Sequence, residues 1–145
     1  MSITERMQAQ GGKPSGLVGA IVGRLMNRLH RGVHRWGLDD LSVESGSACL
    51  DIGCGGGSTV RALARKASSG KVCGLDHSEE MVDLSKRLNR VFLERGSVEI
   101  ALGSVSDLPY ADDAFDLAVA FERIQFWPDI ENDLAEVHRV LKPEG

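Results

Sequence analysis

At 145 residues, with 42% hydrophobic and 26% charged residues, the chain has the length and balance of one water-soluble domain with a real core. A net charge of −4 argues against the chain as a whole binding nucleic acid. The three cysteines, Cys49, Cys54 and Cys73, are odd in number and lack C-x-x-C spacing, which argues against a disulfide framework or a zinc site.

In chain order, residues 1–16 are polar and glycine-rich and read as a flexible arm. Leu17, Ile21, Leu25, Leu29 and Val33 then recur at every fourth position, which predicts an amphipathic helix over 17–36 with Gly37 as its stop. Its arginines, Arg24, Arg28, Arg31 and Arg35, read as a solvated basic face. From Ser47 strands and helices alternate. Strands are expected at 48–53, 71–76, 98–102 and 115–121, and helices at 58–67, from the N-cap Ser78 to about Glu94, and at 130–141. This order predicts a doubly wound, mostly parallel α/β sheet whose ligands sit beyond the carboxyl ends of the strands. No segment is long and apolar enough to span a bilayer, and the N-terminus lacks the apolar core of a signal peptide, so a cytoplasmic protein without stable membrane insertion is expected.

The most informative run is LDIGCGGG at 50–57, where a strand pattern turns into a helix pattern. Gly53, Gly55 and Gly57 follow Asp51 as D-x-G-x-G-x-G, which is neither the dinucleotide spacing G-x-G-x-x-G nor a Walker loop, since no Gly-Lys-Ser/Thr follows. Glycines let a ligand approach the backbone, and the following helix N-terminus is expected to offer amide N–H groups to it. Asp76 closes the second predicted strand, where two carboxylate oxygens suit the two hydroxyls of a ribose.

With LDIGCGGG at 50–57, GLDHSEEMV at 74–82, GSVSDLPYADDAFD at 103–116 and LAEVHRVLKPEG at 134–145, the chain resembles the class I S-adenosylmethionine-dependent methyltransferases acting mostly on small molecules and lipids. The resemblance covers residues 47–145 and implies a Rossmann-like methyltransferase core with four N-terminal strands present and the last three missing, behind an arm and cap helix at 1–46. It implies S-adenosyl-L-methionine as cofactor, with Asp51 near the methionine amino group and Gly53, Cys54, Gly55 and Gly57 in the loop around the methionine and ribose. Asp76 would hold the ribose, His77 and Met81 would lie near the adenine, Ser104 and Val105 would face its edge, and Phe121 would approach from the fourth strand. Ser104 stands where the family usually has an acid, and KPEG replaces KPGG, which puts Glu144 at a position that usually tolerates positive φ.

The implied reaction is direct displacement onto a small-molecule acceptor, dominated by proximity and needing no metal. Glu122 is the best-placed candidate base, and it can equally be a salt-bridge partner of Arg123 or Arg61. Phe126 and Trp127 either wall the acceptor pocket or pack the following helix. The fourth strand would be an apolar edge, open to self-association. Two other readings compete: a truncated, non-catalytic cofactor-binding or interaction module, and a nicotinamide oxidoreductase, which the glycine spacing disfavours.

Overall fold

The computed structural model describes Ile21, Leu25, residues 31–121 and residues 123–145, with the backbone alone for 31–35. The expected arm at 1–16, most of the expected helix at 17–36 and the candidate base Glu122 lie outside the described residues. Ile21 and Leu25 are helical and exposed.

The elements are α1 (Arg31–Asp40), β1 (Ala48–Ile52), α2 (Ser58–Lys66), β2 (Lys71–Asp76), α3 (Glu79–Leu88), α4 (Arg90–Glu94), β3 (Val98–Leu102), β4 (Leu117–Val119), a 3-10 turn (Ile124–Phe126) and α5 (Ile130–Val140). The four strands form one parallel sheet in the order β3-β2-β1-β4. The direction of winding reverses between β1 and its two neighbours, which opens the crevice where doubly wound sheets take ligands.

Strand side chains alternate between two cores. Cys49 of β1, Val72 of β2, Val98 and Ile100 of β3 and Val119 of β4 pack with Leu38, Val60, Leu63, Ala64 and Val82 from α1, α2 and α3. Leu50, Ile52, Cys73 and Leu75 face the other way, onto Val105, Leu108, Phe115 and Val140. Both faces of the sheet are therefore covered, which is why β1 and β2 read as nearly unbroken apolar runs.

Four expectations need correction. Gly37 does not stop α1, which runs on to Asp40. Gly37 is instead where the helix meets Phe121, since a Cβ there would lie 2.6 Å from the ring. The helix ends where the Lys66 ammonium donates to the carbonyls of Leu38 and Leu41.

The helix expected from Ser78 to Glu94 breaks at Asn89, which is fully buried and turns its amide inward to donate to the carbonyls of Gly57 and Ser85, 3.0 Å each. The strand expected at 115–121 shortens to Leu117–Val119. Phe115 makes an isolated parallel bridge to Leu141, exchanging hydrogen bonds with Val140 and Lys142, while the Asp116 side chain accepts from the Ala48 amide and the Lys142 ammonium. Finally, Asp113 is the one described non-glycine residue with positive φ, so Glu144 does not take the left-handed conformation.

Candidate ligand site

The strand ends carry the site. β1 runs into Gly53, whose φ of +73° takes the chain out of the sheet. The amides of Gly53 and Cys54 both donate to the carbonyl of Leu75 in β2, at 2.7 and 2.9 Å. The Gly55 amide donates to Oδ2 of Asp76 at 2.8 Å, and the Gly57 amide to the carbonyl of Cys54. The amide donors of these four residues are thus all used inside the protein.

Gly57 serves packing. At φ +84° a Cβ would fall 2.2 Å from Ser85 Oγ and 2.9 Å from Ser85 Cα, so the loop can lie against α3 only with glycine there. Cys54 points into the core, with its sulfur 3.9 Å from Ser85 Oγ, and burial pushes its thiol well above the ordinary range. Met81 is buried in α3, where its amide caps onto Ser78 Oγ. Phe121 packs against Gly37 and the core shared with α1.

The two acids differ in their surroundings. Asp76 is 3% exposed, and its two oxygens accept from the amides of Gly55 and Ser78. Each oxygen keeps a further lone pair for an outside donor. Asp51 is 2% exposed, and its Oδ2 has no hydrogen-bond partner. Burial raises its pKa to about 7, the neighbouring Arg123 guanidinium pulls it down, and the charge of Asp76 pushes it up.

A cleft of about 170 Å³ opens over these strand ends. Ile52 and Gly53 of the first loop line it, with Leu75, Asp76 and His77 from β2 and Gly103, Ser104 and Val105 after β3. Arg123, Phe126, Trp127 and Pro128, after β4, close the far side. Of the residues expected around the ligand, the cleft brings together Gly53, Asp76, His77, Ser104 and Val105. Asp51 and Gly55 do not line it.

The loop that carries Ser104 and Val105 is pinned by α5. Ser106 Oγ donates to the buried Asp133 at 2.6 Å, and the Leu108 amide donates to Glu136 at 2.8 Å. Arg139 donates to Glu136 and to the carbonyls of Leu108 and Tyr110, and it holds the Glu136 carboxyl down at about 2.

Two residues of this architecture escaped the sequence reading as site residues. Asn89, which ties the loop carbonyl of Gly57 to α3, had as its only signal a polar residue one turn after Ser85 on the buried helix face. Arg123 carries no such signal. Its side chain lies across the glycine loop, and its Nε donates to the carbonyl of Gly53 at 3.0 Å.

Residues 50–145 match the family model described as "Methyltransferase domain". Over 106 residues the chain is 36% identical to the demethylmenaquinone methyltransferase of Lactobacillus johnsonii, covering 72% of this chain and 43% of that protein. Over 103 residues it is 36% identical to the cycloartenol-C-24-methyltransferase 1 of Oryza sativa, covering 71% of this chain and 30% of that protein. Among solved structures, a chain of the complex between the Haloferax volcanii Trm112 methyltransferase activator and a methyltransferase superposes with a TM-score of 0.76 at 31% identity, over 85% of this chain and 53% of that one. The chain thus spans less than half the length of these two curated relatives.

Proposed function

The chain belongs to the class I S-adenosylmethionine-dependent methyltransferases, and from that premise we propose that it transfers a methyl group from S-adenosyl-L-methionine to a small apolar molecule by direct displacement. The cofactor supplies a methyl on a positively charged sulfur. The protein's share is to bind, orient and exclude water.

The observation that carries the reading is the polarity of the loop. A pyrophosphate needs outward amide donors, but those of Gly53, Cys54, Gly55 and Gly57 are spent internally. A buried carboxylate oxygen of Asp51 without a partner and the carbonyl of Gly53 suit the ammonium of an adenosyl amino acid instead. Asp76, with a lone pair spare on each oxygen, holds the ribose hydroxyls. His77, Ser104 and Val105 bound the adenine.

Gly55, Gly57 and Cys54 hold the shape of the loop, and Met81 and Phe121 support the walls. Residues 47–145 form the cofactor core, over which the helix ending at Asp40 acts as a cap.

Phe126, Trp127 and Pro128 give the acceptor an apolar wall. The quinone and sterol methyltransferases among the relatives support an acceptor of that character. Glu122 remains the candidate base for an acceptor that must lose a proton. Three buried free thiols, with those of Cys49 and Cys73 raised to about 11, fit a reducing cytoplasm.

Calorimetry with S-adenosylhomocysteine and with NAD tests the reading. Binding of the first and not the second is the expected result, and the reverse overturns it.

A further inference from the structure

We propose that Arg123 sets the charge preference of the cleft: its guanidinium holds the place of the ligand's cationic end and must withdraw before an adenosyl amino acid can bind in full. The proposal rests on the cofactor reading above and concerns a residue that reading does not use.

Arg123 sits where a ligand would have to be. A Cβ added to Gly53 would meet its Cγ at 2.7 Å and its Cδ at 3.0 Å, and a Cβ added to Gly55 would meet its Nη2 at 2.9 Å. The space that these glycines leave open at positive φ is therefore filled by the stem and head of one arginine. Its Nε donates to the Gly53 carbonyl, the bond an incoming ammonium would make. Below lies Asp51, buried and with Oδ2 unpartnered, close enough for the guanidinium to act on its ionisation.

A buried carboxylate left with no cation nearby is costly, so in the empty site the arginine is the counter-charge. Once a ligand brings its own cation, two positive groups compete for one carbonyl and one carboxylate. The arginine is the one able to leave. It follows the short strand β4, and its long side chain already borders the open cleft. Ligands that lack the amino-acid end do not enter this contest.

The affinity of a site that must first open falls by the fraction of molecules already open, so an arginine present about nine-tenths of the time weakens binding by about tenfold. The test is calorimetry on the full chain, wild type against Arg123→Gln and Arg123→Met, with two probes. S-adenosylhomocysteine carries the amino-acid end, and 5′-methylthioadenosine ends at the thioether. Thermal melting shows that each variant is folded. Both substitutions should tighten S-adenosylhomocysteine by roughly three- to tenfold and leave 5′-methylthioadenosine within about twofold. Weaker binding of S-adenosylhomocysteine in both variants would show an arginine that grips the ligand's carboxylate, and would overturn the proposal. So would equal changes for the two probes, or none. Failure of wild type and variants alike to bind either probe would bring down the cofactor reading, and this inference with it.

Discussion

At the ends of β1 and β2, the Gly53, Cys54, Gly55 and Gly57 amides all have internal partners, and the side chains beneath them are buried to within a few per cent. On the far side of the same cleft, β4 is three residues long, and Ile124 and Phe126 beyond it are about half exposed. One wall is pre-formed and rigid. The other is thin, and it contributes the long, displaceable side chain of Arg123. Pre-organised groups can hold the part of a ligand that never changes, such as a ribose. A thin, partly exposed wall suits the part that must enter, react and leave.

Asp76 is the sharpest place to break the rigid wall. Asp76→Ala strands the amides of Gly55 and Ser78, each worth about 1–3 kcal/mol when left unpaired in the interior. It also removes both acceptors proposed for the ribose. Loss of S-adenosylhomocysteine binding by more than about a hundredfold is expected, together with a lower melting temperature. Asp76→Asn keeps one acceptor oxygen and should retain much of the stability while losing most of the affinity. Unchanged affinity in either variant would remove Asp76 from the site.

Gly57→Ala tests the rigid wall by packing alone. Left-handed strain and contact with Ser85 combine there, and a loss of about 2–4 kcal/mol in urea unfolding is expected. Gly96 has nearly the same φ, +74°, but a Cβ there meets only open space. Gly96→Ala should therefore cost only the conformational part, about 1–2 kcal/mol. Equal losses at the two positions would mean that the loop can slide away from α3.

The rigid wall is also the part that could be read from the chain. Asp51 and Asp76 each close an apolar run of strand character, and glycines at every second position mark the bend, so strand ends and acids could be placed together. The structure agrees to within a residue at β1, β2, β3, α2 and α5. Other features were less legible, for physical reasons. Phe115 is as apolar as any strand residue, and only its isolated bridge to Leu141 across space shows that it lies outside β4. Asn89 sits in a continuing helical pattern, and its break depends on a carbonyl 32 residues earlier in the chain. Arg123 is a lone charge after a strand. Nothing in its neighbourhood says that it folds back 70 residues in sequence onto Gly53.

Asp51 joins the two walls, and pH can separate its roles. Its folded pKa of about 7 lies above the ordinary carboxylate value of 3.8, so the neutral form is favoured by folding. The stability it contributes is fully present below about pH 4 and is lost as pH rises through 7. Asp51→Asn removes that loss and should raise the stability of the empty protein at pH 8, by an amount on the order of a few kcal/mol, with little change at pH 4. Ligand affinity should move the opposite way. In the wild type it should rise several-fold from pH 6 to pH 8, as the carboxylate ionises to meet the ammonium, and the Asn variant should bind weakly and without that slope. A flat affinity profile in the wild type would show that the ammonium does not reach Asp51.

The smallest expected effect concerns the outer side of the thin wall. Among the described residues β4 is the last strand of the sheet, with β1 on one side and no strand on the other. Ile130 and Leu134, one helical turn apart on α5, are also about half exposed. An open ladder edge beside apolar surface favours pairing with a second chain. Sedimentation at increasing concentration should show self-association, and a clean monomer throughout would refute it. Replacing Ile130 and Leu134 with lysine adds charge to exposed positions, so stability should change by no more than about 0.5 kcal/mol. If the apolar turn carries the contact, the double variant becomes monomeric. If association persists unchanged, the backbone edge of β4 carries it, and the open strand would be the more plastic side of this domain in assembly as well as in ligand binding.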